Sequence, residues 1–205
     1  MKNIILTTIC FLAIFSLSFG QETEKSKFSY GLNFGVGNST LENNQIGVLS
    51  GNLIAIDFNV DYSFTDSDKT KLTSGVNILD FNSNFYNGTD QSRLKNEYFQ
   101  IPFKLSHRVN FDKEEKLNLV AGIGAYANFL LRSKILNLNE EINTKSGGFN
   151  FGYSISMGAE YKINTNTSFG LMLDLMNEIS EIKKNNYEQK QTEIILLSIG
   201  FSTRF

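Results

Sequence analysis

The chain has 205 residues, with 19 lysines and arginines against 21 aspartates and glutamates, one cysteine, one proline and no tryptophan. A near-neutral, slightly acidic chain offers no basic face for nucleic acid, and a lone Cys10 excludes an intrachain disulfide and any multi-thiolate metal site. The 16 glycines, 18 phenylalanines and 8 tyrosines favour strands and turns over helices.

Lys2 precedes an apolar run from Ile4 to about Phe19, and the small residues Ser18 and Gly20 flank a cleavage position before Gln21. A charged start, a short apolar core and a small-residue exit predict a secretory signal peptide over residues 1–20. The run is shorter than the ~20 residues of a spanning helix, and it carries Thr7, Thr8, Ser16 and Ser18. Cys10 lies inside the apolar core, which argues against a lipoprotein anchor. Residues 21–205 are one domain's worth of chain.

Strict alternation then begins, the signature of strands with two unlike faces. Phe28, Tyr30, Leu32, Phe34 and Val36 alternate with Ser29, Gly31, Asn33, Gly35 and Gly37. A second strand runs from about Asn52 to Phe64; Ile54, Ile56, Phe58, Val60 and Tyr62 oppose Ala55, Asp57, Asn59, Asp61 and Ser63. A third, Lys71 to about Phe81, is weaker, and its phase slips at Leu79 in the manner of a bulge. Residues 82–94 read as a polar loop. The fourth strand, Asn96 to Val109, puts Phe99, Ile101, Phe103, Leu105 and His107 on one face. Pro102 cannot donate to a ladder, so it implies a bulge or a local gap. The fifth strand runs from Leu117 to Leu131, with a longer loop over residues 132–147. The sixth alternates Phe149, Phe151, Tyr153 and Ile155 with Asn150, Gly152, Ser154 and Ser156, and the seventh opposes Phe169, Leu171, Leu173 and Leu175 to Gly170, Met172, Asp174 and Met176. The last, from Thr192, places Ile195, Leu197, Ile199, Phe201 and Phe205 opposite Ser198, Gly200, Ser202 and Arg204.

The expected fold is therefore all-β: an eight-stranded antiparallel up-and-down transmembrane barrel, with long external loops alternating with short periplasmic turns. A lipocalin-like soluble barrel is the alternative. Eight strands enclose only enough room for side chains or one small ligand, so the many bulky apolar side chains would overfill such an interior. The other face, rich in Gly, Ser and Asn, would make a poor aqueous surface. Turning the apolar face towards lipid removes both problems. Aromatic residues near the strand ends, such as Tyr62, Phe64 and Phe169 at one end and Phe129 and Phe149 at the other, suit two interfacial girdles. The closing strand ends on an aromatic, and Phe201 with the terminal Phe205 resembles the signature read by barrel-insertion machinery.

The fourth strand, Glu97-Tyr98-Phe99-Gln100-Ile101-Pro102-Phe103-Lys104-Leu105, resembles the aromatic–x–(Glu/Gln)–Ile–Pro–apolar segment of PorT-like outer-membrane β-barrel proteins of Bacteroidota-type bacteria. The Gly122–Tyr126 segment and the Phe149–Tyr161 stretch are similar to the following strands of that family. The resemblance implies an outer-membrane barrel and says little about activity, because the family is functionally mixed.

Chemistry is sparse. His107 is the only histidine, and it faces outward near the periplasmic end, where an interfacial ring explains it better than catalysis. No catalytic residue, cofactor or metal site is expected. Asp57, Asp61, Lys104, Glu160, Lys162, Asp174 and Arg204 face the lumen, where buried charges need partners; a selective conduit is the functional alternative. The chain is expected to reside in the outer membrane as a non-enzymatic barrel. In that setting it presents loops for a bound partner or supports the envelope. Lipid and the insertion machinery are its expected partners, and it is expected to be monomeric. A narrow channel and a soluble ligand-binding barrel are the alternatives.

Overall fold

The computed structural model describes residues 26–65, 69–87, 90–137, 141–144, 147–184 and 187–204. The signal peptide expected over residues 1–20 and the terminal Phe205 lie outside these residues. Alternating faces and turn residues build ten strands here: β1 (Phe28–Asn43), β2 (Gly47–Ser63), β3 (Thr70–Asn87), β4 (Asp90–Asn110), β5 (Leu117–Leu136), β6 (Glu141–Thr144), β7 (Phe149–Lys162), β8 (Thr167–Glu178), β9 (Ile182–Lys184) and β10 (Tyr187–Arg204). The eight long strands form an antiparallel ring in chain order, closed by β1 against β10; β6 and β9 are short additions paired to β5 and β10. Closure leaves no open edge, which hydrocarbon would not tolerate.

The bulky apolar set points outward. Val36 is 63% exposed, Ile123 64% and Phe201 57%, while their neighbours Gly35, Gly122 and Gly200 are buried. A soluble barrel would invert this pattern, so the lipocalin-like alternative fails. Aromatic girdles flank the belt. At the turn end Phe28 lies 5.2 Å from Tyr62, Tyr62 lies 5.5 Å from Phe64, and Phe169 lies 5.3 Å from Phe201, centroid to centroid. At the other end Phe99, Phe129, Phe149 and Phe151 form a continuous series with centroid spacings of 6.2, 5.3 and 4.5 Å.

Several segments read as loops are strands. β1 and β2 run on to a turn at residues 44–46, and the polar stretch from Asn82 to Leu94 is mostly the outer part of the β3–β4 hairpin. β5 passes Leu131 through a bulge opposite Glu97 and Tyr98, then continues to Leu136. A second bulge, where Glu193 takes a φ of 51°, interrupts β10 against β1. These outer segments are polar on both faces or apolar on the inner one, so alternation of the lipid-belt kind fades there.

The third strand holds its phase. Its pairing with β2 is continuous from Asn52↔Asn82 to Ser63↔Lys71, and Leu79 points into the lumen rather than marking a bulge. The real irregularity is a gap opposite Pro102: the β3–β4 ladder omits Gly75 and Val76 and resumes in the same register. Gly75 has a φ of 156°, and a Cβ there would run into the Phe58 carbonyl oxygen.

Candidate functional site

The lumen is divided into two unlike halves. Its periplasmic half is charged and holds a cavity of about 140 Å³, large enough for several waters. Strand alternation from all eight long strands delivers the lining. Lys104 pairs with Asp174, and Arg108 pairs with Glu160. Lys71 Nζ lies 3.6 Å from Asp61 Oδ2 and donates to Ser29 Oγ at 3.3 Å, while Thr73 Oγ1 donates to Asp61 Oδ1 at 2.6 Å. Arg204 Nη2 donates to Ser63 Oγ at 3.1 Å. Lys162 lines the mouth beside the 164–167 turn.

Asp57 is 7% exposed, and its Oδ1 has no hydrogen-bond partner within the protein; neither do Asn77 Oδ1, Gln100 Nε2, Tyr126 OH or Ser156 Oγ. All five residues line the cavity. A pocket rimmed by unsatisfied donors and acceptors is a place for water or a small polar solute, because each orphaned group otherwise costs about 1–3 kcal/mol. The cavity shares Lys71, Arg108, Glu160, Ser168 and Ser202 with a smaller recess at the periplasmic mouth, so its polar lining continues to that end.

The extracellular half is the opposite. Leu41, Leu53, Leu79, Phe81, Leu94, Tyr98, Leu130, Ile182, Ile194 and Leu196 are each at most 3% exposed and pack into one cluster, with Ile46, Phe85 and Ile135 against it. Gly152 makes room for Tyr126 at the base of this layer, since a Cβ would collide with the tyrosine ring. A few hydrogen-bonded polar groups cross it: Tyr98 OH accepts from Asn96 Nδ2 at 2.9 Å and Gln189 Nε2 at 3.0 Å. Glu178 accepts from Asn128 Nδ2 at 2.7 Å and from the Gln191 backbone N–H, tying β5, β8 and β10 together. Above the membrane, hydrogen bonding and attraction from Glu181, with Glu188 beside it, hold the Lys183 ammonium above the ordinary lysine range.

The lumen-facing residues expected from the sequence do converge, but two of their partners lie outside the expected set. Lys71 and Arg108 supply two of the cations, and alternation gives the clue to both: Arg108 follows outward His107, and Lys71 precedes outward Leu72. His107 is exposed on the outer surface, its Nδ1 3.0 Å from Thr70 Oγ1, away from the lumenal charges. The larger difference is the seal. The extracellular half is filled by apolar side chains, which the lumenal charges read from the sequence did not reveal. Among the described residues no group of three or more His, Cys, Asp or Glu side chains is placed to hold a metal.

No curated protein matches the sequence. Among solved structures, the barrel is similar to the neisserial surface protein NspA, with 14% identity, a TM-score of 0.53 and coverage of 89% of this chain and 99% of that one. It is also similar to the outer membrane protease OmpT of Escherichia coli, at 8% identity, a TM-score of 0.50 and coverage of 90% and 99%. OprG of Pseudomonas aeruginosa matches at 12% identity with a TM-score of 0.47, covering 89% and 97%. At these identities the likeness is one of fold. Residues 7–205 match the family described as outer membrane protein beta-barrel domain, and that match spans every strand of the ring. With its closed ring, lipid-facing belt and two girdles, this chain belongs to the outer membrane protein beta-barrel domain family and resides in the outer membrane.

Proposed function

We propose that this barrel is a non-enzymatic, non-conducting protein that presents ordered extracellular hairpins as a binding surface or a brace for the envelope. One observation carries the reading: the apolar core of the upper lumen continues into the hairpins through Leu41, Ile46, Phe81, Phe85, Leu94 and Ile135. Side chains packed to near-crystalline density leave no path for water or ions. The same packing holds the hairpin strands upright, which suits display more than gating. The outward position of the single histidine supports the non-enzymatic part. Residues 1–20 act as the export signal, Phe201 and Phe205 serve the insertion machinery, and the barrel works as a monomer. The Tyr98–Gln100–Ile101–Pro102 segment supports assignment to the PorT-like, Bacteroidota-type branch of the family.

Planar-bilayer recording tests the reading. The purified barrel should give no stable steps. Reproducible single-channel steps would refute it and favour a narrow conduit, the second reading, for which the polar periplasmic cavity speaks.

A further inference from the structure

The polar cavity holds one acid more than its cations answer. Asp57, Asp61, Glu160 and Asp174 line it, against Lys71, Lys104 and Arg108. Lys104 is taken by Asp174, Arg108 by Glu160, and Lys71 lies 3.6 Å from Asp61. Asp57, only 7% exposed, has no ion-pair partner among the described residues. Lys104 attracts it, but Asp174, which holds that lysine, repels it more strongly. Lys162 and Arg204 line the recess at the mouth rather than the cavity, and Arg204 is engaged with Ser63. A buried carboxylate needs a counter-charge, and water, which satisfies its hydrogen bond, supplies none.

The orphaned polar atoms gather on the same cavity. Asp57 pairs directly with Asn77 on β3, and Asn77 with Gln100 on β4. Asn77 Nδ2 donates to Gln100 Oε1 at 3.1 Å. That bond leaves Asn77 Oδ1 an open acceptor on the strand beside Asp57, and Gln100 Nε2 an open donor one strand further on. Tyr126 OH and Ser156 Oγ, on β5 and β7, also lack partners within the protein, and each can donate or accept. Gln100, Tyr126 and Ser156 are each at most 2% exposed, yet all three line the cavity. These are desolvated groups turned towards one space, not a solvated rim.

We propose that the cavity binds a small primary ammonium compound that also carries a hydroxyl, taken up from the periplasmic side. The ammonium donates to Asp57 Oδ1 and Asn77 Oδ1, and the hydroxyl accepts from Gln100 Nε2. A bare metal ion would use the two oxygens and face the Gln100 donor. A neutral polyol would use the hydrogen bonds and leave the carboxylate without a counter-charge. The cavity, about 140 Å³, admits a molecule of up to about six heavy atoms, since one of about 150 Å³ takes benzene. The apolar seal closes the upper end, so the ligand leaves by the mouth it entered, and the site requires no conduction.

The test is a ligand-observed NMR titration of the full barrel in non-ionic detergent and amine-free buffer, with ethanolamine as the probe and ethylene glycol as its neutral counterpart. A hydrogen bond to a charged group favours ethanolamine by about ten-fold or more. Asp57→Asn keeps the size of the side chain and should abolish that preference, while Asp80→Asn on the outer surface should keep it; heat-modifiable migration on gels shows that each variant is folded. Equal affinity of the wild type for the two probes, or binding of neither, would overturn the inference without recourse to any variant. So would an undiminished preference in folded Asp57→Asn. Displacement of ethanolamine by potassium chloride, but not by tetramethylammonium chloride at the same ionic strength, would also overturn it and mark an inorganic-cation site.

Discussion

Phe58 and Asn59 are neighbours on β2 that face opposite media, so arginine at each position weighs lipid against lumen. Phe58 is 37% exposed, pairs with Leu32 and Val76, and stands midway between Ile54 and Tyr62 along the lipid-facing row. Arginine at the bilayer midplane costs about 2–4 kcal/mol, which at 1.4 kcal/mol per decade is roughly 30- to 700-fold in the folding equilibrium. Asn59 lines the polar cavity, with Gly31 and Gly75 as its cross-strand partners and Asp57 and Asp61 on its own face. Asn59→Arg therefore meets room and acidic neighbours instead of hydrocarbon. Equilibrium refolding in vesicles of short-chain and long-chain lipids separates the two: Phe58→Arg should lose more stability as the bilayer thickens, and Asn59→Arg should lose the same amount in both. Equal lipid dependence for the two variants would refute the face assignment.

Three further outcomes follow from particular contacts. Lys104→Met leaves Asp174 without its cation, a loss of about 3–5 kcal/mol for a broken buried pair, and Lys104→Met/Asp174→Leu should recover most of it; urea titration in lipid checks both. Tyr98→Phe removes the acceptor of Asn96 and Gln189 within the apolar layer and should cost about 1–3 kcal/mol, read by thermal unfolding. Deleting Phe205 should slow assembly in cells, measured as the heat-modifiable folded fraction in the membrane; a truncated chain that assembles at the normal rate would show that the terminal aromatic carries no insertion signal.

The belt was legible because lipid imposes one rule on every strand that crosses it. Phe28 to Val36, Ile54 to Phe64 and Ile195 to Phe201 each alternate with small or polar residues, and all of them point outward as that pattern requires. The outer thirds of the strands were not legible, because above the lipid neither face need be uniformly apolar. Leu79 looked like a slip of phase for this reason. It belongs to an inner apolar face that begins where the outer one ends, and Leu53, Phe81 and Leu196 belong to it too. A change of face hydropathy at constant phase is a different signal from a bulge, and reading it that way would have revealed the seal. Alternation found most of the lumenal charges but not Lys71 or Arg108, and their partners depend on strand stagger, which brings Lys104 on β4 to Asp174 on β8. No pattern within one strand encodes that meeting.

Sided labelling of a single introduced cysteine tests the closed, two-part lumen most directly. The chain's only cysteine is Cys10, within the proposed export signal, and Ser106 is a half-buried lining residue of the polar cavity. In sealed vesicles of known orientation, Ser106→Cys should react with a small membrane-impermeant thiol reagent added on the periplasmic side and stay unreacted when the reagent is added outside. Comparable labelling from the extracellular side would contradict the apolar seal, and with it the case for a barrel built to display its hairpins.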